Sequence, residues 1–290
     1  MPGFFLVFFA LLLLTTTTTT AYQAKLVSSL LKTKQTTVDK LATVAPDSSE
    51  LTRLRFALAF PSQAEATRAL KATIAWRAGP GKSIVEAASK AVVEATRNPG
   101  EWDNEPVRLA APHAKTINQF ITPKNILTLS TEDGDLVYII RASAINDNQL
   151  MRKVSVKQLS EFFAYVKEVH SIVANARSER TGRLCEVIFA NDISGIRLPP
   201  NSKFSEALTS SSKQYEQLYP SLAGPTMILN LPLILQAFIA LFKPLFPKTV
   251  QDRLLFERAP FLASQKELTP LTTTPKSRDR FLAEVKKLLR

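Results

Sequence analysis

Two short runs constrain this 290-residue chain more than anything else in it. Residues 183–195 read RLCEVIFANDISG and residues 225–231 read PTMILNL. Both are apolar with almost no alternation of polar and apolar positions. A strand solvated on one face alternates with period two, whereas a strand covered on both faces does not. Each run follows a stretch of helical periodicity. Strands alternating with helices argue for an α/β layer.

The rest of the pattern fits that layer. ILTLS and LVYIIRA flank TEDGD, so a hairpin is expected around an Asp-Gly turn. Ser155 and Gln158 form a capping box for a long helix to about Arg180, with an apolar stripe of Leu159, Phe162, Phe163, Val166, Val169 and Val173. A further helix is expected over Phe204–Leu218. After the second strand comes Leu233–Phe242, almost wholly apolar, then the helix-like Lys248–Leu255. Upstream, Ser48–Arg77 predicts two short helices split at Pro61, the second opened by a Ser62–Glu65 capping box. Ser83 and Glu86 repeat the device for a helix that stops at Asn98-Pro99-Gly100. Trp102–Lys115, with Pro106 and Pro112, reads as a connector.

At the N-terminus, Phe4–Leu14 is 11 apolar residues long. That is short of the roughly 20 needed to span a bilayer and within the apolar core of a secretory signal. Residues 1–21 are therefore expected to be a signal peptide cut after Ala21, the alternative being a short uncleaved anchor. Within residues 22–47, the stretch Tyr22–Pro46 carries four lysines and one acid, Asp39. The segment reads as transit-like or flexible, or as a linker and first helix. A signal followed by such a segment looks like the bipartite presequences of algae with secondary plastids. Entry into the secretory pathway follows from the signal, with an endomembrane or, for a bipartite presequence, a plastid destination and peripheral membrane association.

Composition narrows the chemistry. One cysteine, Cys185, excludes an internal disulfide framework and a Cys-based zinc site. Two histidines, His113 and His170, leave little for a metal centre, and no metal or cofactor is expected. Ala78-Gly-Pro-Gly-Lys82-Ser83 lacks the first glycine of a phosphate loop and the strand before it, so it reads as a turn between helices. Glu132, Asp133 and Asp135 lack the calcium-loop spacing. No G-x-S-x-G occurs. His170, at the edge of an apolar stripe, reads as a satisfied core histidine. The chain carries a formal charge of +12. Lys243–Arg290 holds 11 basic and five acidic residues, half of that excess. Without interleaved aromatics it points away from nucleic acid and towards either docking on an anionic lipid surface or solubility alone. Ser277–Arg290 fits an amphipathic basic helix, with Phe281, Leu282, Val285, Leu288 and Leu289 on one stripe.

Three stretches resemble the CRAL-TRIO lipid-binding domain of retinaldehyde-binding proteins and yeast-type phosphatidylinositol transfer proteins. Leu51–Arg77 is similar to that family's N-terminal helical piece, which often ends in Trp-Arg as Trp76-Arg77 do. Asp192-Ile-Ser-Gly195 resembles its Asp-x-x-Gly. Leu218–Phe256 carries Tyr219-Pro220, Asn230, Pro232, Lys243-Pro244 and Thr249-Val250 in the family's order. The implied fold is α/β: a CRAL-TRIO-like mixed sheet flanked by helices with an apolar ligand cavity, after a small all-helical N-terminal subdomain. The implied division is a helical subdomain over 48–115, the CRAL-TRIO domain over 116–262, and a linker with an amphipathic helix over 263–290.

The resemblance also implies a function. A gate helix, carrying Leu233, Leu235, Phe238, Ile239, Leu241 and Phe242, closes a cavity whose ligand-binding set includes Phe189 and Leu229 on the strands. Lys243 meets a headgroup phosphate. The expected partners are a phospholipid, phosphatidylinositol among them, or another hydrophobic ligand, and an anionic membrane. A monomer is expected. Members that bind phosphatidylinositol pair the lysine with a glutamate, and here Ser210 or Ser211 occupies that position. The expected activity is non-enzymatic lipid transfer; the alternative is a membrane-tethering or regulatory module that exchanges no ligand.

Overall fold

A computed structural model describes residues 25–98, 102–130, 135–192, 200–229 and 254–257. Its centre is a five-stranded sheet of β1 (Ile126–Ser130), β2 (Leu136–Arg141), β3 (Val187–Asp192), β4 (Ala223–Leu229) and β5 (Leu254–Glu257), in that spatial order. The hairpin strands β1 and β2 are antiparallel, and all later neighbours are parallel. The pairing sets Thr128 opposite Tyr138, Tyr138 opposite Phe189, and Phe189 opposite Thr226. Residues in such a row share one face of the pleat. Val137, Ile139, Ile188 and Ala190 occupy the other face and are all buried. Both faces are thus covered, which is why β3 shows no alternation.

Two strand boundaries differ from expectation. Leu254 and Leu255 belong to β5 and not to a helix. A four-residue strand carries too few positions to show a period of two, so local pattern could not separate the two states. The third strand starts at Val187, three residues after Leu184. The N–H groups before it are already engaged: Leu184 donates to the Lys25 carbonyl (2.7 Å), Cys185 to Ser178 Oγ (2.8 Å) and Glu186 to Asp135 Oδ1 (2.7 Å).

Helices α1 (Val27–Val44), α2 (Glu50–Ala59) and α3 (Gln63–Ala78) form a layer with its own core of Val38, Leu41, Leu54, Phe56 and Leu70, which Leu184 joins. Within residues 22–47, a helix spans Val27–Val44. Its entry is pinned by a bridge between Leu26 and Arg183 and by a Val27 N–H bond to the Gly182 carbonyl (2.9 Å). The expected break at Pro61 separates α2 from α3, and Ser62 accepts from the Glu65 N–H.

Helix α4 (Lys82–Ala95) begins one residue before Ser83, with Gly81 at the N-cap position and no side-chain cap. The turn decides this. Gly81 N–H bonds the Trp76 carbonyl (2.8 Å), and a Cβ at Gly81 would stand 2.5 Å from the Trp76 ring. The supposed connector holds two short helices, α5 (Asn104–Ala110) and α6 (Ala114–Ile117). Asp103 caps α5, and Pro106 sits in its first turn, where a missing N–H costs nothing. Helix α7 (Asp147–Lys153) leads to α8 (Val156–Thr181), whose Ser155–Gln158 capping box is complete and whose C-terminus closes on Gly182 at φ 68°. Helix α9 (Ser202–Leu218), capped by Asn201, lies against α8. Helices α8 and α9 cover the sheet face that carries Leu136, Tyr138, Val187 and Phe189.

Candidate functional site

The pleat that turns Ile126, Thr128, Leu136 and Tyr138 to one side makes the floor of a cavity. The roof is the stripe of α8 at Phe162, Tyr165, Val166, Val169, His170 and Val173. These positions recur at three- and four-residue steps, so they lie along one helix face. Trp102, Val107 and Ala111, with Ile121 and Pro123, close the side. The space enclosed is about 100 Å³.

Most polar groups at this wall are occupied. Tyr165 Oη donates to the Val107 carbonyl (2.8 Å), Trp102 Nε1 to Asn104 Oδ1 (2.6 Å) and Asn118 Nδ2 to the Arg108 carbonyl (2.9 Å). Thr128 Oγ1 and His170 Nε2 share a bond of 2.7 Å. Two groups differ. Tyr138 Oη and His170 Nδ1 are buried and have no hydrogen-bond partner among the described residues. Their rings meet edge-on, with centroids 5.0 Å apart. Burial, and secondarily the charge of Lys167, pushes the His170 pKa down to about 3, so the imidazole is neutral over the physiological range. The expected satisfied core histidine is therefore satisfied at one nitrogen only.

Beside the cavity runs a row of rings. Phe189 meets Tyr138 edge-on at 5.9 Å and Tyr215 at 5.8 Å, and Tyr215 lies 5.8 Å from Tyr219. Phe189 is thus one ring away from the cavity floor. Lys167 on α8 lies over Tyr215, 5.1 Å from its centroid, and donates to the carbonyl and hydroxyl of Ser211. Burial pushes its pKa down to about 7. Ser211, one of the two positions expected to replace a headgroup-pairing glutamate, is committed to this lysine.

A set of charges ties the helical layer to the sheet. Arg77 grips Glu168 on α8 with two bonds of 2.7 Å. Arg55, buried on α2, donates to Asn175 Oδ1 (2.8 Å), the Ser221 carbonyl (2.6 Å) and the Cys185 carbonyl (2.7 Å). Lys25 pairs with Glu186 (2.6 Å), and Arg183 with Asp135 (2.9 Å). The Trp76-Arg77 pair thus has a structural role: Trp76 packs on the turn and Arg77 anchors α3 to α8.

Leu229 is the last residue of β4 and pairs in register with Asp192, which is buried and lies 3.7 Å from Arg141 Nε. Leu233, Leu235, Phe238, Ile239, Leu241, Phe242 and Lys243 lie outside the described residues, as do the expected signal segment (1–21) and the expected C-terminal helix (277–290). Sequence reasoning missed Thr128 and Tyr138 as cavity residues. The alternate positions of the hairpin strands were the available signal. Among the described residues no helix is long and apolar enough to cross a membrane.

Comparison with known proteins adds two findings. The sequence pattern of the CRAL/TRIO domain matches residues 120–268, just over half of the chain and all five strands of the sheet. The crystal structure of Sfh5 is similar with a TM-score of 0.52, covering 78% of this chain and 81% of that one at 11% sequence identity, a likeness of fold. No curated protein matches the chain in sequence.

Proposed function

The chain belongs to the CRAL/TRIO domain family, whose domains bind hydrophobic lipid ligands, and on that premise we propose that it carries a lipid between membranes in a gated apolar cavity. The observation that carries the reading is the cavity between β1–β2 and α8, apolar except for a few placed polar groups. Lipid cargo needs such a lining and no reacting groups, because each CH₂ removed from water contributes about 0.8 kcal/mol. Leu233–Phe242 forms the gate in this reading, Lys243 meets a headgroup, and the basic C-terminal segment docks on anionic lipid. The signal segment directs the chain into the secretory pathway.

Native mass spectrometry of gently purified protein tests the reading. A co-purified lipid in the holo mass supports it. A chain that stays empty after incubation with mixed-lipid vesicles argues instead for a tether with no exchangeable ligand. In a loading assay, a well-folded Phe238→Asp chain is expected to take up no lipid, since an unpaired carboxylate in an apolar gate costs several kcal/mol. Uptake at the wild-type level removes the gate from the proposal.

A further inference from the structure

The cavity between the hairpin and α8 has three walls, and they are built to different strengths. The floor, β1 and β2, is held by the strand ladder. The roof, α8, is 26 residues long, packs on the sheet and is clamped to α3 through Glu168. The side is α5, seven residues long, and none of them is buried. Asn104, Val107 and Arg108 line the cavity, while Leu109 on the same helix is 65% exposed. This wall is one helix thick, with water on its far side. Elements with few buried apolar contacts open at the lowest cost. The closed cavity is also too small for an acyl chain with its headgroup: about 100 Å³, against roughly 300–1,000 Å³ for a complete small-molecule site. A wall has to move, and α5 can do so without breaking the ladder or the clamp. Resting on the reading of this space as a lipid cavity, we infer that Asn104–Ala111 is a strap over a side entrance, separate from the gate at Leu233–Phe242, and that it lifts from α8 and the hairpin when a chain enters.

The ends of this segment fit a strap. At its start, the Asp103 N–H bonds the Ala95 carbonyl at the end of α4 (2.9 Å). Beyond its far end, Ala114 and Ile117 of α6 are buried, so α6 stays with the core. Between strap and anchor stands His113 at φ 59°. A non-glycine residue keeps that left-handed conformation only where its surroundings impose it. Here the His113 carbonyl accepts from the Thr116 and Ile117 N–H groups (3.0 Å each), and Nε2 donates to Glu161 on α8 (2.9 Å). Hinges are residues at element ends that absorb a change of φ and ψ, and His113 has that position. Along the strap, the Tyr165 hydroxyl on the roof donates to the Val107 carbonyl (2.8 Å). Asn118 donates to the Arg108 carbonyl (2.9 Å), and Arg108 reaches the Ile121 carbonyl at 3.5 Å. The bond from Tyr165 is therefore the latch to the roof, and Glu161 holds the hinge in its closed conformation.

The test uses the full chain and a dansyl-labelled undecanoic acid as probe. Spin labels at Leu109→Cys on the strap and Lys157→Cys on α8 take positions that are 65% and 86% exposed, and Cys185 is buried and escapes labelling. Loading with the probe should add a longer distance between the labels. Tyr165→Phe removes the bond to Val107, and Glu161→Ala frees His113 without touching the cavity lining. Both should speed probe entry and exit, Tyr165→Phe by roughly tenfold, the effect of one hydrogen bond. A part in packing alone would lower affinity and leave the entry rate unchanged. Circular dichroism confirms the fold of each variant, and the labelled pair reports on the strap with both bonds intact. Val166→Trp fills the cavity and should suppress the distance change. An unchanged label distance on loading, or entry rates unchanged in both variants, overturns the strap and leaves the lipid cavity standing. A distance change that persists in Val166→Trp also overturns it, since the probe then acts from elsewhere. A wild-type chain that binds no probe removes the lipid-cavity reading and the strap with it.

Discussion

The seam between the helical layer and the sheet differs from the cavity wall in how it treats buried polar atoms. At the seam, Arg55 is buried yet meets three acceptors, and Glu168 is buried yet held by both arms of Arg77. At the cavity, Tyr138 Oη and His170 Nδ1 are as deeply buried and meet none among the described residues. Leaving a buried polar group unmade costs about 1–3 kcal/mol, more for a charged one. The seam avoids that cost by internal pairing, so its groups hold the protein together. The cavity wall leaves these two atoms unpaired among the described residues and carries that cost. Buried polarity by itself says little; whether it is paired separates scaffold from site.

The comparison can be broken at four places. Arg55→Ala should have the largest effect. It leaves the Ser221 and Cys185 carbonyls without this donor and opens space in the seam. A loss of about 3–5 kcal/mol is expected by urea unfolding, with little recovery in Arg55→Lys. Arg55 spends Nε and both terminal nitrogens on three different acceptors, and an ammonium cannot copy that fork. Arg77→Ala should follow at about 2–3 kcal/mol. The value lies below that for a fully enclosed pair because Arg77 is 36% exposed while Glu168 is 1%. Adding Glu168→Gln should recover part of the loss. Additive losses in the double variant would remove the pair from the seam.

Lys167 lies between the two regions and makes the third test a matter of pH. Its pKa is near 7 in the folded protein against an ordinary 10.5. Between those values the unfolded chain binds a proton that the folded chain does not, so this group makes stability rise as pH rises from about 7 to about 10. Below about 7 its penalty is fully present. Thermal melts of Lys167→Met across this window should lack that slope and show a more stable protein at neutral pH. A slope unchanged from wild type refutes the assignment. Tyr138→Phe should have the smallest effect on stability, within about 1 kcal/mol and in the stabilising direction, because the hydroxyl removed has no partner to lose. A loss of 2 kcal/mol or more by the same urea measurement would show that the hydroxyl is paired and belongs with the seam.

Much of the scaffold was legible in the residues. The hairpin, the capping box at Ser155, the break at Pro61, α9, the doubly covered β3 and the strand β4 all follow from short-range patterns, and the structure carries each of them. The start of α4 was misplaced because the packing of Gly81 on Trp76 outranks a serine cap. The site was less legible. His170 was visible at the edge of an apolar stripe, but its half-satisfied state depends on Thr128, 42 residues earlier. Arg77 was visible in a Trp-Arg pair, but its partner lies 91 residues on.

The sequence by itself determined the layer type, the order of most strands and helices, and which helix faces are apolar, because capping, turn chemistry and periodicity act within a few residues of the chain. Only the tertiary structure decided where β3 begins, that LLFE extends a sheet, and which of two buried polar sets is paired. Each of these depends on groups brought together from distant parts of the chain: Lys25 with Glu186, Arg55 with Ser221, Thr128 with His170. Their hydrogen-bond complement is a property of three-dimensional proximity, and no local pattern encodes which donors will be left over once the others have paired.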